Sequence, residues 1–209
     1  MRYYIGAVLR SVPNWEEYID VKHPKNYKDP EKIAKYVAER KAELETGMVT
    51  HPLGGCITSI CILDAKREIP ASTEEQNTFA VGGVGCAVKG VEFLLDHSGL
   101  LLDPKRIESV FVGGCRLSAT LRLMAIEYMI VNGSLPFALH WMLGDNPTLR
   151  PTMPLHVDPL RAICGYRGPH VPEIPLDKVA KKFGLPPPDE ADAQEMAVFS
   201  YQLCNRLGL

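Results

Sequence analysis

Several groups of side chains in this sequence could do chemistry. His156 and Asp158 are spaced H-x-D, with His140 and His170 on either side in sequence, and imidazole and carboxylate are ordinary metal ligands. No third ligand stands at a recognisable spacing, so a local hydrogen-bonded turn is the first reading. GGVGCAVKG (82–90) has the glycines of a phosphate loop. A Walker loop needs Lys-Ser/Thr directly after its second glycine, where Val91-Glu92 follow Gly90, and the dinucleotide pattern needs a glycine where Val88 stands. A glycine turn opening a helix is therefore expected. Ser118 falls in a strand-to-helix turn, but GGCRLSA is not the G-x-S-x-G elbow, and no Ser/His/Asp triad can be assembled. Asn132-Gly133-Ser134 matches a glycosylation sequon, and reads more simply as a helix-ending turn. From Lys22 to Lys41 the chain carries seven Lys/Arg against three acids, with Tyr27 and Tyr36 between them. Charge neutralisation plus base stacking, worth ~1–3 kcal/mol per base, holds single-stranded nucleic acid this way. A solvated helix face is the plainer account of the same charges. Arg10, near the end of YIGAVLRSVP (4–13), is the last of these groups. Alternation puts it on the same strand face as Val8, so it marks either a solvated strand end or a site.

The elements that must position these residues are legible in outline. YIGAVL reads as a strand. NWEEYIDVKHPKNYKDP reads as a loop, and Asp29-Pro30 as an N-cap with proline at the first helical position. Ile33, Tyr36, Val37 and Leu44 continue at helical spacing to about Gly47. CITSICILD after Gly55 predicts a central strand, and Thr78–Val81 a weaker one. Val84 to His97 predicts a helix, Arg106 to Gly114 a strand, and Leu117 to Val131 a helix closed by Asn132-Gly133. A loop-rich stretch from Ser134 to Pro154 precedes short helices at 158–165 and 175–183, and a last helix over Glu190–Leu207. The alternation of strands and helices predicts an α/β or α+β sheet with helical cover in one domain, 1–209. A net charge of −2 argues against a protein that coats nucleic acid wholesale, yet permits local basic patches. The six cysteines contain no C-x-x-C pair and mostly lie in apolar segments, as reduced core thiols do. No apolar run approaches the ~18 residues of a membrane span and no signal-peptide pattern opens the chain, so a cytoplasmic location and no membrane partner are expected.

The order of these segments carries a resemblance. HVDPLRAICGYRGPHVPEIPLDKVAKKFGLP (156–186) resembles a segment of DnaQ-like exonucleases in which an H-x-D-L-x-x-x-L helix precedes S-L-x-x-V-A-x-x-x-G-L-P. The group it is similar to is the predicted 3′-5′ exonucleases related to the proofreading domain of family B DNA polymerases. KNYKDPEKIAKYVAERKAE resembles that group's K-x-P-x-x-I-x-x-Y-I-x-x-K helix, and GGCITSICILD its G-x-I-x-x-I-x-I strand. FVGGCRLSATLRLMAIEYMIVNGSLP resembles its H-N-G-x-x-F-D-x-P-x-L segment. The likeness covers nearly the whole chain. It implies a ribonuclease H-like mixed five-stranded sheet flanked by helices.

It also implies chemistry that this chain has lost. The group's four carboxylates hold two divalent metals ~3.5–4 Å apart that activate water against a phosphodiester. Two of them form a D-x-E before Thr-Val-Pro on the first strand. Matching Val12-Pro13 puts Val8 at the Asp and Arg10 at the Glu. The third falls on Ser118, and the fourth, five residues before Tyr201, on Met196. Val, Arg, Ser and Met supply almost no oxygen ligands to a hard cation. The resemblance thus implies a pseudo-exonuclease with no metal cofactor. The leading expectation is a non-catalytic domain that binds single-stranded DNA or RNA, DNA first, among replication or repair proteins such as those of a phage. In it Arg10 and Arg116 stand in for metal against a phosphate, Lys22, Lys25, Lys28, Lys32 and Lys35 extend the path, and Tyr27 gives a stacking platform. The alternatives are a protein-interaction or structural subunit with the cleft packed shut, and an active nuclease using Mg²⁺ or Mn²⁺ at a relocated site around His156, Asp158 and Asp64. Oligomeric state stays open.

Overall fold

In a computed structural model the described residues are 2–12, 21–49, 54–65, 77–98, 110–135, 155–164 and 174–209. The elements run β1 (Arg2–Ser11), α1 (Pro30–Met48), β2 (Gly55–Asp64), β3 (Asn77–Gly82), α2 (Cys86–Ser98), β4 (Phe111–Gly113), α3 (Leu117–Asn132), β5 (Leu155–Val157), α4 (Pro159–Cys164), α5 (Leu176–Phe183) and α6 (Ala193–Leu207). By internal contacts the chain divides into two compact units, Met1–Val8 with Ile57–Leu209, and Leu9–Cys56. The expected α/β class, with a mixed sheet flanked by helices, is what the molecule has.

The strands lie in the order β3-β2-β1-β4-β5. β1 pairs with β4, and β4 with β5, in parallel, while β2 and β3 are antiparallel. Ala65 N donates to Arg2 O at 2.9 Å and Thr58 Oγ1 to Val8 O at 3.2 Å, so β2 runs against β1 as well. In the first unit both sheet faces are covered. Strand alternation sends Ile60 to one face, where the α2 backbone at Gly90 comes so near that a Cβ there would lie 2.9 Å from Ile60 Cδ1. It sends Tyr4, Val8, Cys61 and Leu63 to the other face, where they pack with Ala193 and Ala197 of α6. A second cluster joins α4, α5 and α6 through Leu160, Leu176, Val179, Met196, Phe199 and Leu203.

The second unit is built differently. Asp29 caps α1 by accepting from Glu31 N at 3.0 Å, with Pro30 at the first helical position. Its apolar residues at helical spacing, Ile33, Tyr36, Val37 and Leu44, are only half-buried. Before the helix, 21–29 has no strand or helix, and Tyr27 N closes a turn on Pro24 O at 3.0 Å. Val12 N donates to Gly54 O at 2.8 Å and ties the two ends of the unit together.

Three sequence expectations need correction. β5 was left unassigned in the sequence, because three residues are too short a run to announce themselves and LHV becomes a strand only through β4. α2 starts at Cys86 rather than Val84, because Gly83 and Gly85 take φ of +86° and +78° in the turn before it. α6 starts at Ala193 rather than Glu190, because Asp192 caps it by accepting from Gln194 N at 2.7 Å. Cys164 is exposed and Cys56 half-exposed, whereas Cys61, Cys86, Cys115 and Cys204 are the buried thiols expected. Of the strand predicted over Arg106 to Gly114, residues 106–109 lie outside the described residues and β4 occupies Phe111–Gly113. No described helix is long and apolar enough to cross a membrane.

Candidate functional site

The three segments to which the resemblance assigns the lost carboxylates are β1, the β4–α3 turn and α6. Close backbone approach joins them. Gly6 of β1 has no side chain because a Cβ there would strike Ala193 O and Ala197 N of α6 and lie 2.9 Å from the Met196 carbonyl carbon. Gly114 is needed in the same way, since its Cβ would lie 2.7 Å from Ile5 O. Ser200, fully buried on α6, accepts from Cys115 N at 3.0 Å and donates to Met196 O at 2.8 Å. That hydroxyl satisfies a buried backbone N–H in the turn and fixes α6 against it. Burial pushes the Cys115 thiol beside it up to about 12, the Ser200 hydrogen bond opposing the shift.

The four positions that the resemblance names separate into two kinds, buried and exposed. Val8 is 6% exposed, packed among Cys61, Leu63, Ala193 and Ala197, and Met196 is 3% exposed against Phe199 and Leu203. Burying each contributes about 1.5–3 kcal/mol. Ser118, in the first turn of α3, is exposed. Arg10 lies in the other unit, exposed, and forms no ion pair among the described residues. Arg116 is engaged. It is the one described non-glycine residue with a left-handed backbone, φ 58°, and its guanidinium pairs with Glu190 at 3.1 Å.

Asp158 proves to be a structural carboxylate. It is buried, its Oδ2 accepts from Leu117 N at 3.1 Å, and its Oδ1 accepts from Leu160 N at 3.0 Å. One side chain thereby caps the N-termini of both α3 and α4. Burial raises its pKa above the usual aspartate range, and the two backbone N–H groups pull it back. The hydrogen-bonded turn expected at H-x-D is therefore present, and Asp158-Pro159 repeats the Asp-Pro signal that marks α1. His156 lies on β5 opposite Val112, Asp64 ends β2 opposite Asn77, and His140 and His170 lie outside the described residues. Among the described residues no three His, Cys, Asp or Glu side chains gather into a metal-holding group. Gly83 and Gly85 form the glycine turn expected before α2, and Gly133, φ +72°, closes α3 on Met129 O.

Around the N-terminus of α6 the surface is acidic, with Asp189, Glu190, Asp192 and Glu195 exposed. The basic residues collect elsewhere, on 22–35 of the second unit. Lys22, Lys25, Lys28, Lys32 and Lys35 are all exposed. Lys35 lies 3.9 Å from Glu39, an exposed helix pair of a kind worth ~0.3–0.5 kcal/mol. Tyr27 meets Tyr36 edge to face at 5.6 Å, which fastens the lysine-bearing loop onto α1.

Gly6, Ser200 and the Arg116–Glu190 pair were missed in the sequence. Only Gly6 left a trace, as a glycine inside an apolar strand, since the other contacts join residues 74 to 85 positions apart. Comparisons with protein-family models, with curated proteins and with solved structures gave no match.

Proposed function

We propose that the chain is a catalytically silent, ribonuclease H-like domain that holds single-stranded nucleic acid, DNA in the first instance, in a replication or repair setting. The observation that carries this reading is the junction itself. A mixed sheet in the order β3-β2-β1-β4-β5 brings β1, the β4–α3 turn and α6 together, as a four-carboxylate centre would require. Two of its four positions are filled with buried Val8 and Met196. Binding is assigned to Lys22, Lys25, Lys28, Lys32 and Lys35 with Tyr27, and to Arg10 at the solvated end of β1. Arg116 is withdrawn from phosphate duty by Glu190.

One observation favours a second reading, a protein-interaction or structural subunit with no nucleic-acid role. The acids at 189–195 put negative charge beside the former cleft, where a phosphate would be repelled. The relocated nuclease loses its central ligand, because both Asp158 oxygens are committed to backbone N–H groups.

One preparation tests all three readings with an end-labelled single strand. The proposed function predicts binding in chelator that weakens steeply with salt, and no shortened product after Mg²⁺ or Mn²⁺ is added. Absence of affinity at low salt selects the interaction module, and metal-dependent shortening selects the nuclease.

A further inference from the structure

The Arg116–Glu190 pair joins two turns, each closed by bonds that do not involve the pair. Arg116 holds its left-handed backbone at the start of α3, where its carbonyl accepts from Ala119 N and Thr120 N, both at 3.1 Å, and from Thr120 Oγ1 at 3.2 Å. On the other side Asp189 N donates to Glu195 Oε2 at 2.7 Å, Ala191 N to Asp189 Oδ1 at 2.8 Å and Asp192 N to Asp189 O at 3.0 Å. Those bonds close the turn that carries Glu190 without using the Glu190 carboxylate. Opening the pair therefore needs only side-chain rotation and leaves both turns in place. Arg116 Nη2 lies 3.1 Å from Glu190 Oε2, and the two side chains are 28% and 46% exposed, so solvent reaches the contact. A pair this open favours its closed form by no more than about fivefold.

Carboxylate and phosphate oxygens are the two partners that a guanidinium fork matches. On the reading that the chain holds single-stranded nucleic acid, we propose that Glu190 is an internal competitor for Arg116. Its carboxylate occupies the guanidinium in the free chain, and a phosphate of the bound strand displaces it. Arg116 is then a reserve phosphate contact whose contribution Glu190 sets. The competition selects for a polyanion. An isolated phosphate must displace a carboxylate tethered at high local concentration, whereas a strand held by its other phosphates presents the next one at a comparable concentration.

Single-strand binding in chelator, titrated with salt, tests this on the full chain and on Glu190→Gln, Arg116→Asn and the two combined. Asparagine suits the left-handed backbone at 116 and Glu190 is exposed, so the urea midpoints should be kept. Should Arg116→Asn lower its midpoint, Arg116→Gly takes its place. The proposal expects Glu190→Gln to bind about two- to sixfold more tightly than the wild type. Its plot of log affinity against log salt should steepen by about 0.7, the share of one further phosphate contact. With Arg116 replaced, Glu190→Gln should change neither quantity. Wild-type binding that Glu190→Gln leaves unaltered overturns the proposal while the proposed function stands. An equal gain with Arg116 replaced also overturns it, because the acid then acts through general repulsion. No affinity in any of these chains overturns the proposal and the proposed function together.

Discussion

The two compact units use their apolar residues in opposite ways. In the first, β1, β2, α2, α3 and α6 contribute side chains that are wholly enclosed, among them Tyr4, Ile60, Leu94, Met124 and Leu203. In the second, Ile33, Tyr36, Val37 and Leu44 of α1 are half-buried, and its lysines lie open along 22–35. The first unit encloses Val8 and Met196 as core residues. The second carries the exposed lysines and the Tyr27–Tyr36 pair to which the proposed function assigns binding.

A charge placed in this core should break the first unit most severely. Val8→Asp places a carboxylate among Cys61, Leu63, Ala193 and Ala197, and should cost more than about 3 kcal/mol in urea unfolding. A Val8→Asp chain of native stability would show that the cleft is open. Next in size is Gly6→Ala, which drives a methyl into the α6 backbone and should cost about 2–3 kcal/mol by the same measurement.

Asp158→Asn sharpens the comparison from the polar side. The amide can present only one oxygen where two backbone donors now bond, so about 1–3 kcal/mol should be lost. The pH dependence has a definite sign. Burial raises the Asp158 pKa in the folded chain, so the folded state holds this proton more tightly than the unfolded one. Its contribution therefore falls as pH rises from the ordinary aspartate range through the raised folded value. The difference in urea midpoint between wild type and Asp158→Asn should narrow over that window, and a widening difference would contradict the assignment. The smallest effect on stability is expected in the second unit. Lys32→Glu with Lys35→Glu should change the unfolding free energy by less than about 0.5 kcal/mol per residue, because both side chains are exposed.

Much of this was legible because local chemistry is written locally. Asp29-Pro30 announces the start of α1, Gly55 to Asp64 is a strand at both of its ends, and Asn132-Gly133 stops α3 where expected. Features that depend on distant partners were not legible. β5 exists through its register with β4, and the reach of Asp158 to Leu117 spans 41 residues. The engagement of Arg116 by Glu190 could not be read from either neighbourhood. The candidate site divides along the same line. Lysine spacing and the absence of acids on β1 are sequence facts, whereas the closure around Val8 and Met196 is a fact of packing.

The most direct test of the central claim is a salt titration of single-strand binding in chelator. It compares the wild type with a chain in which Lys22, Lys25, Lys28, Lys32 and Lys35 are all changed to Glu. The account predicts metal-independent binding by the wild type, a steep fall of affinity with salt, and loss of binding in the variant while its unfolding midpoint is kept. Undiminished affinity in the variant, or no affinity in the wild type at low salt, would contradict it.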